Sequence, residues 1–244
     1  ISTNSASSAG GGTYSNSVSH CTLTGNSASF GGGAYGSTLT NCTVRGNAAS
    51  EYGGGADRAN LNDCTLTGNI AKYGGGVARS TLVDCTLTTN GAAGPVASGG
   101  GAHGAKLTNC TLSGNSATQN GGGANICSLT NCTLIGNSAK QGGGTDAGSL
   151  YYCTLTGNSA PDGGGASYAK LHNCTLVDNF ASNSGGGVAS STLDNCIVAY
   201  NTALTDPNCS ASTLSYCCSA PLSTDGQGNI AVPPQFVDHV GGNL

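Results

Sequence analysis

The hydrophobic and polar positions of this chain follow one pattern written over and over between Ser2 and Ala203, with Leu107-Thr-Asn-Cys110-Thr-Leu112-Ser-Gly-Asn115 as a representative copy. Aligned copies place cysteine at Cys21, Cys42, Cys64, Cys85, Cys110, Cys132, Cys153, Cys174 and Cys196, with Cys217 keeping the register. The spacing is 21 or 22 residues, apart from one gap of 25. Three residues before each cysteine stands an apolar residue: Val18, Leu39, Leu61, Leu82, Leu107, Leu129, Leu150, Leu171, Leu193 and Leu214. Two residues after comes Leu or Val, from Leu23 to Val198. Five residues after comes Asn26, Asn47, Asn69, Asn90, Asn115, Asn137, Asn158, Asn179 or Asn201, and a triple glycine follows, from Gly31–Gly33 through Gly185–Gly187. A period of about 20 to 30 residues marks a solenoid, whose repeats bury their apolar side only by stacking on one another.

Two solenoids fit the leucine spacing. A leucine-rich repeat requires a helix or comparable packed segment in the second half of each copy. Here that half reads SATQNGGGANICS, with no helical apolar spacing and glycines that each cost a helix about 1 kcal/mol. The pattern therefore predicts an all-β chain, a parallel β-helix of about ten coils with 21–22 residues per coil. Strand alternation points Cys110 and Leu112 inward and Thr111 outward. Leu107 is out of phase, so a corner falls near Thr108 and Asn109. The Asn column marks the next corner, because Asn tolerates left-handed backbone and stacked copies bond along the axis. The glycines allow close approach or positive φ.

Leu112-x-x-Asn115 followed by Gly122-Gly123-Ala124 resembles the paired FxxN and GGA(I/L/V) motifs of the polymorphic outer membrane protein repeats, found in chlamydial autotransporter passengers and secreted bacterial β-helix proteins. The resemblance covers residues 1–240, with Leu or Val replacing Phe and with an added Cys column. It implies a right-handed β-helix, export to the cell surface or the extracellular space, and a structural or adhesive role in contact with surface glycans or host and cell-surface proteins.

Composition narrows the function classes. Charged residues make up 7% of the chain and the net charge is −4, so no basic footprint for nucleic acid exists. No apolar run is long enough for membrane insertion, and no cofactor motif occurs. Stacked coils lie roughly 4.8 Å apart while disulfides prefer Cβ separations of about 3.8 Å. The Cys column is therefore expected to be reduced and buried. Cys127, Cys209 and Cys218 stand outside it. Cys127 is expected to be exposed, and Cys209 with Cys218 to form a disulfide closing the C-terminal segment. Residues 1–206 form the repeat domain. Residues 207–244, rich in proline, are expected to be an irregular cap of the same domain in which Gln235-Phe236-Val237 supplies a last strand and Phe236 covers the core.

Candidate chemistry is sparse. Phe30, Tyr52 and Tyr73 precede the glycines in consecutive coils and form either a stabilising row or a sugar platform. Asp63 and Asp84 precede the cysteine in adjacent coils, near the separation that retaining glycosidases use. Asn41, Asn109 and Asn131 occupy the same column, which makes the two Asp residues variants of a corner Asn. The seven basic residues form no cluster with acids in register, and His20, His103, His172 and His239 show no metal-ligand spacing. The insertion Gly91–Ser98 around Pro95 is a surface loop. Thr22, Thr43, Thr65, Thr86, Thr111, Thr133, Thr154 and Thr175 form an outward row of the kind ice binding requires, but the parallel row is broken by Arg45, Ile135 and Val177. The favoured function is a non-catalytic extracellular structural or adhesive solenoid, ahead of a polysaccharide-binding or polysaccharide-degrading one and an ice-binding one. Because Ile1 falls at an inward strand position, end-to-end self-association into filaments is a further expectation.

Overall fold

Alternation sets the strands. In Thr65-Leu66-Thr67 the leucine is fully buried while the threonines face outward, and the same three-residue strand recurs once per coil at one register. The computed structural model describes residues 1–221 and 226–237 and contains strands but no helix among them. Three parallel sheets of ten strands run along the axis. The first face extends from Thr13–Tyr14 to Cys209–Ser210, the second from Ser17–Ser19 to Thr213–Ser215, and the third from Thr22–Thr24 to Cys218–Ser219. A fourth face is less regular, with five strands between Ser27–Phe30 and Ser116–Ala117 and a pair formed by Ser159–Asp162 and Phe180–Ser184. The molecule is a parallel β-solenoid of about ten coils.

Each corner turns on a single residue in left-handed backbone. In one coil these are Asn41, Gly46, Gly53 and Arg58, and in the next Asp63, Gly68, Gly74 and Arg79. From Gly10 to Tyr216 three of the four corner-to-corner intervals are always five residues. The fourth, from the corner before the Asn to the first glycine of the triplet, is six, seven or ten. All variation in coil length therefore sits in the fourth face. The 25-residue gap is its longest case, from Thr89 to Gly99, and Pro95 lies in the bulge, where its carbonyl accepts from Gln119 Nε2 at 2.7 Å. A five-residue face reads corner, in, out, in, out: after Arg58 come buried Ala59, exposed Asn60, buried Leu61 and exposed Asn62, then the next corner at Asp63.

The Asn column is inside the molecule, which corrects its reading as the left-handed residue: the corner φ belongs to the residue before it, such as Gly114. Asn115 is fully buried. Its Oδ1 accepts the backbone N–H of Asn90 at 2.9 Å and the Asn90 Nδ2 at 3.1 Å. Its own Nδ2 donates to Asn137 Oδ1 and to the Leu87 carbonyl, both at 3.0 Å. Each amide thus joins coils on both sides, and the ladder ends where Asn201 donates to Asn208 Oδ1 instead of to another coil.

The glycine triplet brings the fourth face back to the first with no room for side chains. A Cβ on Gly54 would lie 2.3 Å from the Ile70 carbonyl oxygen of the next coil, and one on Gly55 2.5 Å from that of Gly76. Gly46, at a left-handed corner, has nothing within 4 Å of such a Cβ.

Three expectations are corrected at the C-terminal end and one at Cys127. The sheets continue past residue 206, because Asp206-Pro207-Asn208 takes the place of a glycine triplet. The Pro207 and Asn208 carbonyls pair with Gly187 and Val188 N–H groups. Cys209 and Cys218 are free thiols. They stand on different faces, Cys209 opposite Val188 on the first and Cys218 opposite Ile197 on the third. Gln235-Phe236-Val237 adds no strand. The ring of Phe236 lies against Tyr200 on the flank, with centroids 6.1 Å apart, and Ile230 makes the last bridge, to Cys218. Cys127 is buried, 3% exposed, since it occupies the inward position held by Ala59, Ser80 and Ala105 in other coils.

Asn115→Ala leaves the Asn90 N–H without an acceptor and removes one hydrogen bond each from Asn90 Nδ2, which keeps the Leu66 carbonyl, from Asn137 Oδ1, which keeps the Asn115 N–H, and from the Leu87 carbonyl. With about 1–3 kcal/mol for the unpaired N–H and about 0.5–1.5 kcal/mol for each further bond lost, urea unfolding should show a loss of about 3 kcal/mol. Gly46→Ala should lose only the left-handed strain, about 1–2 kcal/mol. Gly54→Ala, which must push two coils apart, should lose distinctly more in the same urea series.

Candidate functional site

Side-chain chemistry gathers in two places. One is the concave junction where the glycine triplet folds the fourth face over the first. The outward column of the first face is buried here: Asp57 is 0% exposed and Ser167 0%. Phe30, Tyr52 and Tyr73 do meet, as consecutive coils dictate. Their rings stack with centroids 6.1 and 5.0 Å apart and interplanar angles of 12° and 28°. The Arg79 guanidinium lies 4.0 Å from the Tyr52 centroid and grips Asp57 with two hydrogen bonds, one of them Nε to Oδ1 at 2.9 Å. The His103 ring closes the row 5.3 Å from Tyr73. The rings thus spend faces on one another, on Arg79 and on His103, which is how a stabilising row behaves; a sugar platform needs a free face.

The Arg79–Asp57 pair corrects the expectation that no acid and base come together, as does Lys72 at 3.5 Å from Glu51. Arg79 is a corner residue one position beyond the register partner of Asp57, so its side chain reaches back across the coil boundary.

Further along the same column, His103, Asn125, Asp146 and Ser167 occupy successive coils. Asn125 Nδ2 donates to Asp146 Oδ2 at 3.1 Å. His103 Nδ1, Asp146 Oδ1 and Ser167 Oγ are buried without a partner within the chain, and such atoms each carry a desolvation cost. Burial pushes the Asp146 carboxyl up to about 6 and the His103 imidazole down.

The second place was not singled out by the sequence. On the outer side of the second face, Tyr151, His172 and Asp194 are cross-strand neighbours in three consecutive coils. His172 Nδ1 lies 2.7 Å from Asp194 Oδ2. With Lys170, Leu171 and Thr192 they line a groove of 300 Å³. The Tyr151 and His172 rings are tilted by 60° at 6.2 Å, so they do not cover each other. The signal was present: all three residues directly follow the apolar column, after Leu150, Leu171 and Leu193.

The aspartates proposed from sequence are corner residues. Asp63 and Asp84 have φ of 51° and 53° and face solvent. Asp63 accepts from its neighbour Asn62 at 2.7 Å and Asp84 from Asn109 Nδ2 at 3.0 Å, while Asn131 donates to Asn109 in turn at 2.9 Å. The column is a surface amide and carboxylate ladder. His20 is a corner residue on the surface, and His239 lies outside the described residues. Among the described residues no group of three or more His, Cys, Asp and Glu is placed to hold a metal ion, and no helix is long and apolar enough to cross a membrane.

No protein-family model matches the chain, and no curated protein matches it in sequence. Solved structures similar to it include a trypsin-treated QnrB1, a plasmid-mediated fluoroquinolone resistance protein, at 15% identity and a TM-score of 0.36, covering 83% of this chain and 90% of that one. The Dettilon tailspike protein is similar at 13% identity and a TM-score of 0.31, covering 89% and 52%. A mannuronic acid specific polysaccharide family 6 lyase from human gut microbiota is similar at 8% identity and a TM-score of 0.28, covering 91% and 79%. Nothing among these matches points to the polymorphic outer membrane protein repeats in particular.

The buried Asp146 carboxyl sets a pH dependence. Its folded value lies above the unfolded one, so the folded chain holds the proton more tightly. Stability is then full below about pH 4, falls as the pH rises to about 6, and stays lower above that. Asp146→Asn should remove this slope and raise stability at pH 7 by on the order of 2 kcal/mol, read from urea unfolding between pH 4 and 8.

Proposed function

We propose that the chain is a non-catalytic structural or adhesive solenoid that works outside the cell or at its surface, where its outward side chains meet glycans or other surface proteins. One observation supports this reading above others. The recurring Asn amide, apolar columns and glycine triplet join coil to coil, whereas the outward positions, apart from the threonine row of the third face, change from coil to coil. A rigid rod with a varied exterior suits presentation and contact, and no repeated position supplies an acid, a base and a nucleophile together.

A second reading, polysaccharide binding or cleavage, is favoured by the groove of Tyr151, Lys170, His172 and Asp194. There an aromatic ring, a lysine and a His–Asp pair converge on one face. Ice binding is less well supported, because Arg45, Ile135 and Val177 interrupt the second row of the third face.

Incubation with uronate polymers and with neutral glycans separates the readings. The structural reading expects neither unsaturated nor new reducing ends over long incubation. Turnover that is present in the intact chain and lost in His172→Ala would replace it with the enzymatic one. Binding without turnover, weakened at least tenfold by the same substitution, would make the groove the adhesive site.

A further inference from the structure

Two corners of each coil pose the same steric problem, and the chain fills them differently. At both, a left-handed residue is followed by an inward side chain that reaches back to the carbonyl two residues earlier. Ser80 Oγ donates to the Ala78 carbonyl at 2.7 Å and Cys85 Sγ to that of Val83 at 3.1 Å. Both atoms also accept a backbone N–H from the preceding coil, from Ala59 at 3.1 Å and from Cys64 at 3.4 Å. At the corner before the second face this position takes serine at Ser37, Ser80, Ser191 and Ser212, alanine at Ala59, Ala105 and Ala169, asparagine at Asn16, glycine at Gly148 and cysteine at Cys127. At the corner after it, the ten coils from Cys21 to Cys217 carry cysteine without exception. Packing that accepts serine, alanine and glycine at one corner does not demand sulfur at the other. The uniformity of the second column calls for a chemical reason.

The thiols adjoin along the axis. The Sγ of Cys85, Cys174, Cys196 and Cys217 each accepts the backbone N–H of the cysteine one coil back, Cys64, Cys153, Cys174 and Cys196, at 3.3–3.5 Å, so the sulfurs follow one another coil by coil. We propose that this column binds soft monovalent metal ions of the Cu(I) class, each held in line between the sulfurs of two adjacent coils. Soft thiolates select such ions. Two metal–sulfur bonds near the zinc–thiolate length of about 2.3 Å would together approach the roughly 4.8 Å between coils, whereas a disulfide would draw Cβ atoms to about 3.8 Å. A tetrahedral divalent site needs four ligands, and among the described residues no group of three or more His, Cys, Asp and Glu is placed to hold a metal ion. Two-coordination is what the column offers.

The chemistry balances without a redox step. The ion displaces one thiol proton to solvent, one sulfur becomes the thiolate and the other remains a thiol donor. The unit of one cation and one thiolate is neutral, as the apolar interior requires. Each ion occupies two coils, so ten thiols take about five ions. This inference is independent of the structural reading of the protein.

The test titrates the folded, fully reduced chain with silver(I), an air-stable monovalent probe, in chloride-free buffer, and repeats the titration anaerobically with copper(I). Ultraviolet charge-transfer absorption, proton release and thermal unfolding are followed. The proposal expects about five ions and about five protons per chain, with the β spectrum retained and the unfolding midpoint raised. Replacing Cys127, Cys209 and Cys218 by alanine should leave that number unchanged. The four-site variant Cys64→Ser, Cys110→Ser, Cys153→Ser and Cys196→Ser leaves only Cys21 and Cys42 adjacent, so it should bind about one ion. Serine is the residue that the equivalent corner already accommodates, and circular dichroism checks that the variant is folded. If it does not fold, the pair Cys110→Ala and Cys132→Ala serves, with about four ions expected. Uptake only after denaturation, uptake that unfolds the chain, or a stoichiometry set by Cys127, Cys209 and Cys218 overturns the proposal.

Discussion

Every backbone N–H and C=O in this fold that leaves a strand must meet its partner one coil above or below, and that single requirement governs the rest. Coils can pair in parallel over their whole circuit only if each follows the path of its neighbour. The chain meets this with corners of one left-handed residue at intervals of five on three faces. A change of length there would shift an entire face by one residue and turn its leucines outward. The fourth face, where pairing is broken into short strands and single bridges, is where six-, seven- and ten-residue intervals are tolerated.

The interior reflects the same constraint. A buried amide is costly alone, yet Asn115 and its copies satisfy both coils next to them, because a stacked fold presents the same acceptor at the same place each time. The glycine triplets answer the opposite difficulty, a bend so tight that the carbonyls of the next coil occupy the space of a side chain. The thiol column shares part of the first explanation, since Cys85 Sγ accepts the Cys64 N–H and donates to the Val83 carbonyl; its uniformity over ten coils is what separates it from the serine and alanine column beside it.

Where the outward residues fall on the concave junction, burial reaches side chains that strand alternation alone would leave wet. Asp57 is neutralised there by Arg79, whereas Asp146 and Ser167 retain unpartnered oxygens. On the convex faces, such as that of Tyr151, His172 and Asp194, side chains remain free to meet other molecules. The same column position in a coil is thus structural or available depending on the curvature of the backbone beneath it.

The sequence by itself determined the solenoid, its period, the inward Leu and Cys columns and the absence of helix, because a repeat of fixed register writes each column visibly into the chain; that the Asn column points inward, one residue past the corner, came from the structure. The sequence also placed Phe30, Tyr52 and Tyr73 in one row, since that row follows the register. What only the tertiary structure decided was anything that crosses the register or depends on depth. Arg79 reaches Asp57 by stepping one position back across a coil, and Asp146, in an outward column, is buried where the fourth face folds over the first. Cys209 and Cys218, close in sequence, are parted onto two faces by the corners at Ala211 and Tyr216. His172 and Asp194 follow the register, and what the structure added is that their side chains meet, at 2.7 Å. The pattern fixes which residues line up; the curvature of the coil fixes which of them face solvent, which are buried and which can touch.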